Sequence, residues 1–398
     1  MPERHSPRVL TLILAGGEGN RLGPLTDERA KPATPFAGTY RLIDFPLSNC
    51  AHSGLSDVWI VQQFEPLSLQ DHLANGRPWD LDRNSGGLRT LHPHSNDDPT
   101  SGMMQGNGDA LARNERFIRE FEPDVVLVLS ADHVYAMDYR VVLDRHRDTD
   151  ADLTMVTIEV AADDAGRYGV VEIDDDRVAS YTYKPDEPRS TTVATEIFAF
   201  RPDVLLNALE EAADEGAGDL GERALPAIVE GSDARSVPLD GFWRDVGTVG
   251  SYHSVHMEML SGEAELDPAD PSWPILGRSW PFGPARVDSG TVASSMLSPG
   301  VVVGGTVTGS VIGPGTVIEE GAEVVDSVVL DRVTIGQGYR VERAIIDTGA
   351  VIGRGAVVGG RSGTEDDITV VGRGIVVEPE STVEPGTELA HTDGDDER

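Results

Sequence analysis

Branched apolar residues return every six positions at Ile312, Ile318 and Val324, at Val329, Ile335 and Val341, and at Ile346, Ile352 and Val358. Each triplet begins 17 residues after the one before, so three hexapeptides make one coil of a solenoid. Glycines at 313, 315, 321, 336, 338, 353 and 355 fall beside these positions, where a parallel β-helix turns its corners. No other feature restricts the fold as much. An ordinary antiparallel sandwich has no reason to keep a six-residue register, and one coil cannot bury its own face, so the repeats form one cooperative unit. Val377, Val383 and Leu389 resume the spacing after an insertion, Arg361–Asp367. A run of prolines between Ser261 and Arg286 excludes regular structure and marks a linker. The expected organisation is a first domain over 1–260, a linker over 261–288, a β-helix over 289–392 and a disordered tail over 393–398.

Ahead of the linker, apolar β-type runs alternate with helical patterns, which predicts an α/β domain whose mostly parallel sheet is covered by helices, a Rossmann-like layout. Strands are expected at Val9–Leu14, Val58–Gln62, Val125–Leu129, Leu153–Val160, Val170–Ile173, Val178–Tyr183 and Val193–Phe200. Helices are expected at Asp109–Phe121, Tyr139–Arg147, Pro202–Ala213 and Val249–Leu260. Leu81–Thr100, rich in Asn, Asp, Gly and His, reads as a loop or lid.

The first strand runs into LAGGEGNRLGPLTDERAKP, Leu14–Pro32. Gly16, Gly17 and Gly19 leave that loop without Cβ atoms at a strand's carboxyl end, where backbone N–H groups can approach phosphate. The third glycine of a dinucleotide fingerprint and the Gly-Lys-Ser/Thr of a Walker A are both missing. Arg21 and Lys31 supply the cations, one a planar fork and the other a mobile point charge. A plain glycine turn flanked by solvated basic residues is the alternative on spacing alone.

Leu14–Asn49, together with SADHVYAMDY at Ser130–Tyr139, FWRDVGT at Phe242–Thr248 and SWPI at Ser272–Ile275, closely resembles the ADP-glucose pyrophosphorylases (glucose-1-phosphate adenylyltransferases) among the nucleoside-diphospho-sugar pyrophosphorylases. The resemblance implies a C-terminal left-handed β-helix and a Mg²⁺-dependent reaction. ATP and glucose-1-phosphate would yield ADP-glucose and pyrophosphate for glycogen or α-glucan synthesis. It assigns Leu14, Ala15, Gly16, Gly17, Gly19, Gly106 and Asp109 to the nucleotide, Lys184 and Glu196 to the sugar phosphate, and Arg21, Lys31 and Asp132 to catalysis. Asp132 and Asp245 would hold Mg²⁺, which favours one or two carboxylates plus substrate phosphate. Taken singly, Asp132 could equally be a helix N-cap and Asp245 a partner of Arg244.

Charge sharpens the reading. The formal net charge is −36, and of 32 basic residues only Lys31 and Lys184 are lysines. So acidic a surface repels nucleic acid and anionic membrane, and any anionic substrate needs a local basic pocket. The same composition suits a cytoplasm of concentrated salt, where self-repulsion is screened; codon bias towards Arg is the competing explanation. With background lysine almost gone, two lysines that both fall in phosphate-contacting positions of the family are hard to attribute to surface decoration. Cys50 is the sole cysteine, excluding an internal disulfide. The apolar run after Arg4 and Arg8 meets the glycine loop with no cleavage-like site, and no stretch reaches membrane-spanning length, so a cytoplasmic protein is expected, on the family pattern a homotetramer.

Three departures from the family stand out. Met104-Gln105-Gly106-Asn107-Gly108-Asp109-Ala110 replaces Tyr-x-Gly-Thr-Ala-Asp-Ala, Tyr183-Lys184-Pro185 replaces Glu-Lys-Pro, and His94-Ser95-Asn96-Asp97 stands where Gln-Gln-Arg is usual. They leave open a different base or sugar preference, or a catalytically weak regulatory homologue. A β-helix acyltransferase is disfavoured, because no histidine lies between Val301 and Val358.

Overall fold

The computed structural model describes residues 7–17, 19–92, 106–214, 218–361, 363–364 and 367–391. Contacts divide the chain into two compact units, one of residues 1–17 and 45–243, the other of 18–44 and 244–398. The second half of the glycine-rich motif therefore packs with the β-helix.

The first unit is built on nine strands: β1 (Val9–Ala15), β2 (Asp57–Gln62), β3 (Gly87–Leu91), β4 (Val125–Ser130), β5 (Leu153–Glu159), β6 (Gly169–Asp174), β7 (Arg177–Tyr183), β8 (Thr192–Phe200) and β9 (Ala234–Pro238). Their order is β3-β2-β1-β4-β8-β5-β9-β7-β6. β1 runs parallel to β2 and β4, whereas β8 lies antiparallel to β4 and β5. Continuous apolar strands such as VVLVL are buried because helices cover the sheet; Leu10, Leu12, Val126 and Val128 pack with Leu205, Leu209 and Ile228. The strand at Gly87–Leu91 lies inside the segment read as a loop or lid; only five residues long and at the sheet edge, it gives a weak pattern. The expected helix at Asp109–Phe121 is two, Asn107–Arg113 and Glu115–Phe121. Asn114 divides them at φ −99° and ψ 4°, its side-chain amide donating to the Ala110 carbonyl. Helix Ala224–Gly231 gave no signal strong enough to expect.

The second unit holds three parallel six-stranded sheets, the faces of the left-handed β-helix. The register is that of the repeat: Ile312 stacks on Val329 and Ile346, Ile318 on Ile335 and Ile352, and Val324 on Val341 and Val358. These side chains fill the interior. Val371 holds the stacking position between Ile346 and Leu389, beyond the insertion. On one face the outward residues Val311, Val328, Ile345 and Val370 are also buried. That face receives residues 18–44 and helix Val249–Ser261: Arg29 meets Asp347 at 2.8 Å, and His253 Nε2 lies 2.7 Å from the Asp326 carbonyl.

His256 ties helix to loop, its Nε2 accepting the Ala37 N–H at 2.9 Å and its Nδ1–H donating to the Tyr252 carbonyl at 2.7 Å. Burial lowers its pKa to about 3. A neutral histidine in the fold contributes stability that is complete above the unfolded pKa of about 6.5 and is lost as pH falls towards 3, by about 1.4 kcal/mol per unit. Between pH 7 and 5 the parent should therefore lose about 2 kcal/mol more than His256→Gln, roughly 4–8 °C in Tm. Parallel melting curves for the two proteins across that range would remove His256 as the cause.

Candidate active site

In the first unit the motifs converge at the carboxyl ends of β1 and β4. Leu14 pairs with Ser130 in register, and the Ala131 N–H donates to the Leu14 carbonyl at 3.2 Å, so the glycine loop and Asp132 leave neighbouring strand ends. A Cβ placed on Gly16 or Gly17 would meet no heavy atom within 4 Å. Protein packing does not demand glycine at either position, and both border open space. A cleft at the end of β1 is lined by Leu14, Asn107, Ser130, Tyr181, Tyr183 and Glu196, drawn from separate stretches of sequence.

Asp132 is not a helix cap, since it precedes the short strand His133–Tyr135. Its Oδ1 accepts from Ser130 Oγ at 2.5 Å. His133, to which the sequence gave no role, is the organiser of this corner. Its Nδ1 lies 3.1 Å from the Thr195 carbonyl and so carries the hydrogen. Nε2 then faces Asp132 Oδ1 at 3.7 Å and Glu196 Oε2 at 4.0 Å. Two carboxylates thus flank one imidazole edge, oxygen ligands of the kind that could hold a hard cation. The signal in sequence was only that His133 follows Asp132.

Gly106 and Gly108 are required by the fold, since a Cβ on either would lie within 3.0 Å of the backbone of Gly218. Asp109, in the first turn of helix Asn107–Arg113, pairs its carboxylate with Arg113 at 2.9 Å. Lys184 is exposed, its backbone held left-handed at φ 42° and its N–H donating to the Tyr168 carbonyl at 3.0 Å. Its ammonium sits 4.7 Å from the Tyr183 ring centre. Tyr183 in turn donates to Asp219 Oδ2 at 2.9 Å, while Asp219 Oδ1 accepts the Asn107 N–H at 3.2 Å. Two of the family departures, at Asn107 and Tyr183, thus share one carboxylate. Burial first, and Asp219 second, push the Tyr183 phenol well above its usual pKa, keeping it a proton donor. Met104 and His94–Asp97 lie outside the described residues.

In the second unit Lys31 meets Asp245. Lys31 Nζ, almost wholly buried, lies 3.7 Å from Asp245 Oδ1. A Cβ on Gly247 would come within 3.2 Å of both Asp245 carboxylate oxygens and 3.3 Å of Arg21 Nη2. Gly19, at φ 79°, is needed for backbone reasons and would clash with Thr26 and Lys31 if substituted. Arg244, the other partner suggested for Asp245, reaches Glu258 at 3.2 Å.

The profile of the nucleotidyl transferase family matches residues 10–262, and that of the GlmU-like C-terminal hexapeptide family matches 284–378. Glucose-1-phosphate adenylyltransferases of Bacillus thuringiensis, Bacillus anthracis and Bacillus mycoides are each 37% identical over 374 residues, spanning 92% of this chain and 98% of theirs.

Proposed function

The chain belongs to the nucleotidyl transferase family, among the glucose-1-phosphate adenylyltransferases, and from that premise we propose that it makes ADP-glucose and pyrophosphate from ATP and glucose-1-phosphate. The observation that carries the reading is the cleft of the first unit, where Leu14 at the end of β1, Asn107, Ser130 at the strand end before Asp132, Tyr183 and Glu196 come together. The reaction is attack of a sugar-phosphate oxygen on the α-phosphorus of the triphosphate. Positioning and charge stabilisation are what the protein supplies. Backbone N–H groups at Leu14–Gly17 would hold the triphosphate, Arg21 would neutralise charge that develops on it, and Lys31 would steady both through Asp245. Lys184 would take the sugar phosphate, with Glu196 accepting a sugar hydroxyl.

Asp132 and Asp245 would hold Mg²⁺, which on binding would neutralise charge shared by the reacting phosphates. Support comes from the carboxylates around His133, against whose ring Trp243 packs edge-on with ring centres 5.0 Å apart. Pyrophosphate release from purified protein, measured over a grid of nucleoside triphosphates and sugar-1-phosphates in high KCl, should peak for ATP with glucose-1-phosphate. Release with no pair would overturn the proposal. We further propose a cytoplasmic homotetramer, for which the exposed row Val317, Val351 and Val376 offers apolar surface; a monomeric mass by light scattering would refute the assembly.

Removing the Lys184 charge separates the two substrates. A charge-assisted hydrogen bond contributes about 1.5–3 kcal/mol, so Lys184→Gln should raise KM for glucose-1-phosphate roughly 10- to 150-fold with kcat and KM for ATP little changed. A sugar-phosphate KM within twofold of the parent would return Lys184 to the status of a solvated lysine.

A further inference from the structure

A cavity flanked by two arginines lies at the amino-terminal ends of β1, β2 and β3. It has a volume of 600 Å³ and is lined by Arg8, Ser56, Asp57, Ser85, Gly86 and Arg89, among others. β1 separates it from the glycine loop, seven residues or about 20 Å of strand away. Arg8 lies over the Phe121 ring at 3.8 Å and Arg89 over the Trp59 ring at 4.7 Å, while the two rings meet edge to face at 5.4 Å. Trp59 and Arg89 are register partners on β2 and β3, so the stacking is built into the sheet.

Each guanidinium carbon therefore sits over an aromatic face, a cation–π contact that does not use up the N–H donors a ligand would need. Neither side chain has an ion pair among the described residues, in a chain where acids outnumber bases by 68 to 32. Arg8 satisfies Asp124 through its backbone N–H at 2.7 Å, leaving the side chain uncommitted. Asp57 is the carboxylate in the cavity; Ser56 Oγ donates weakly to it at 3.4 Å. The Gly86 backbone, at φ 75°, closes against it so tightly that a Cβ would stand 3.0 Å from Asp57 Oδ1.

We propose that this cavity binds a small phosphorylated polyol, its phosphate across Arg8 and Arg89 and a hydroxyl donated to Asp57. Two forked cations match a phosphate dianion, and a carboxylate beside them rejects a second anionic group but accepts a hydroxyl. The site does not depend on the proposed reaction.

Tryptophan emission tests it, because Trp59 lies directly beneath Arg89. Inorganic phosphate and glycerol 3-phosphate, titrated at constant ionic strength, should each give a saturable change that disappears in Trp59→Phe. Arg8→Gln and Arg89→Gln, both on exposed side chains, should weaken both ligands 10- to 150-fold, with pyrophosphate-releasing turnover within twofold of the parent. Asp57→Asn should weaken glycerol 3-phosphate and leave phosphate unchanged. Absence of saturation, equal affinity in the arginine variants, or the same response to chloride would overturn the site. Equal effects of Asp57→Asn on both ligands would overturn the polyol. Turnover lost in the parent as well would count against the proposed reaction and leave this titration unaffected.

Discussion

Asp132→Asn is expected to lower kcat about 10³-fold at the Mg²⁺ concentration that saturates the parent, roughly 4 kcal/mol of barrier, while the melting curve stays with that of the parent. The amide keeps the shape and can still engage Ser130, so the fold has no reason to fail. What it removes is one negative charge next to His133 Nε2 and Glu196, where a hard cation would be held. Added Mg²⁺ should restore part of the activity if affinity is what has been lost, and none if the bound geometry has changed. Turnover near the parental rate would detach Asp132 from the chemistry and leave it a hydrogen-bonding partner of Ser130.

Asp347→Ala should produce the largest loss of stability. Asp347 is fully buried on the β-helix, 2.8 Å from the buried guanidinium of Arg29, two residues before Lys31. One oxygen also accepts the Thr348 N–H at 2.5 Å, whereas Arg29 Nη1 and Asp347 Oδ2 have no hydrogen-bond partner among the described residues. The pair is therefore incompletely satisfied, and removing one member strands a buried charge at about 3–5 kcal/mol. For a unit of this size that corresponds to a Tm lower by roughly 6–20 °C. Arg29→Met with Asp347→Leu should recover most of the loss, because an apolar pair has no charge left to solvate. If Asp347→Ala melts with the parent, or the double variant melts with the single, the bridge is not what holds this loop to the β-helix.

Because Lys31 follows Arg29 so closely, that bridge also sets where Lys31, for which a role in the reaction is proposed, can stand. Activity of the double variant relative to its recovered stability will show how much of the β-helix's contribution is positioning. A fall in kcat at parental Tm would mean that the coil at Asp347 serves the chemistry as well as the fold.

Much of this protein is determined by local sequence. A six-residue period fixes which side chains enter the β-helix and which coil stacks on which, since each strand pairs only with its counterpart one coil away, and the observed register follows the repeat residue for residue. Continuous apolar runs fixed the central strands by the same local logic. The glycine loop, Asp132 and Lys184 could be named because glycine, strand-end carboxylate and rare lysine are unusual where they stand. What the sequence could not disclose depends on pairs far apart along the chain. Arg29 with Asp347, 318 residues away, carries no periodicity, and neither does the Asp219 carboxylate shared by Asn107 and Tyr183. His133 became an organiser only when Thr195, 62 residues on, fixed its tautomer. The division of the glycine-rich motif between two compact units was equally invisible, for burial at Val311, Val328 and Ile345 reports a neighbour that only folding supplies. Periodicity encodes what a segment does with its own backbone; charge pairs, tautomers and covered faces are settled by whichever distant residues the fold brings within a few ångströms.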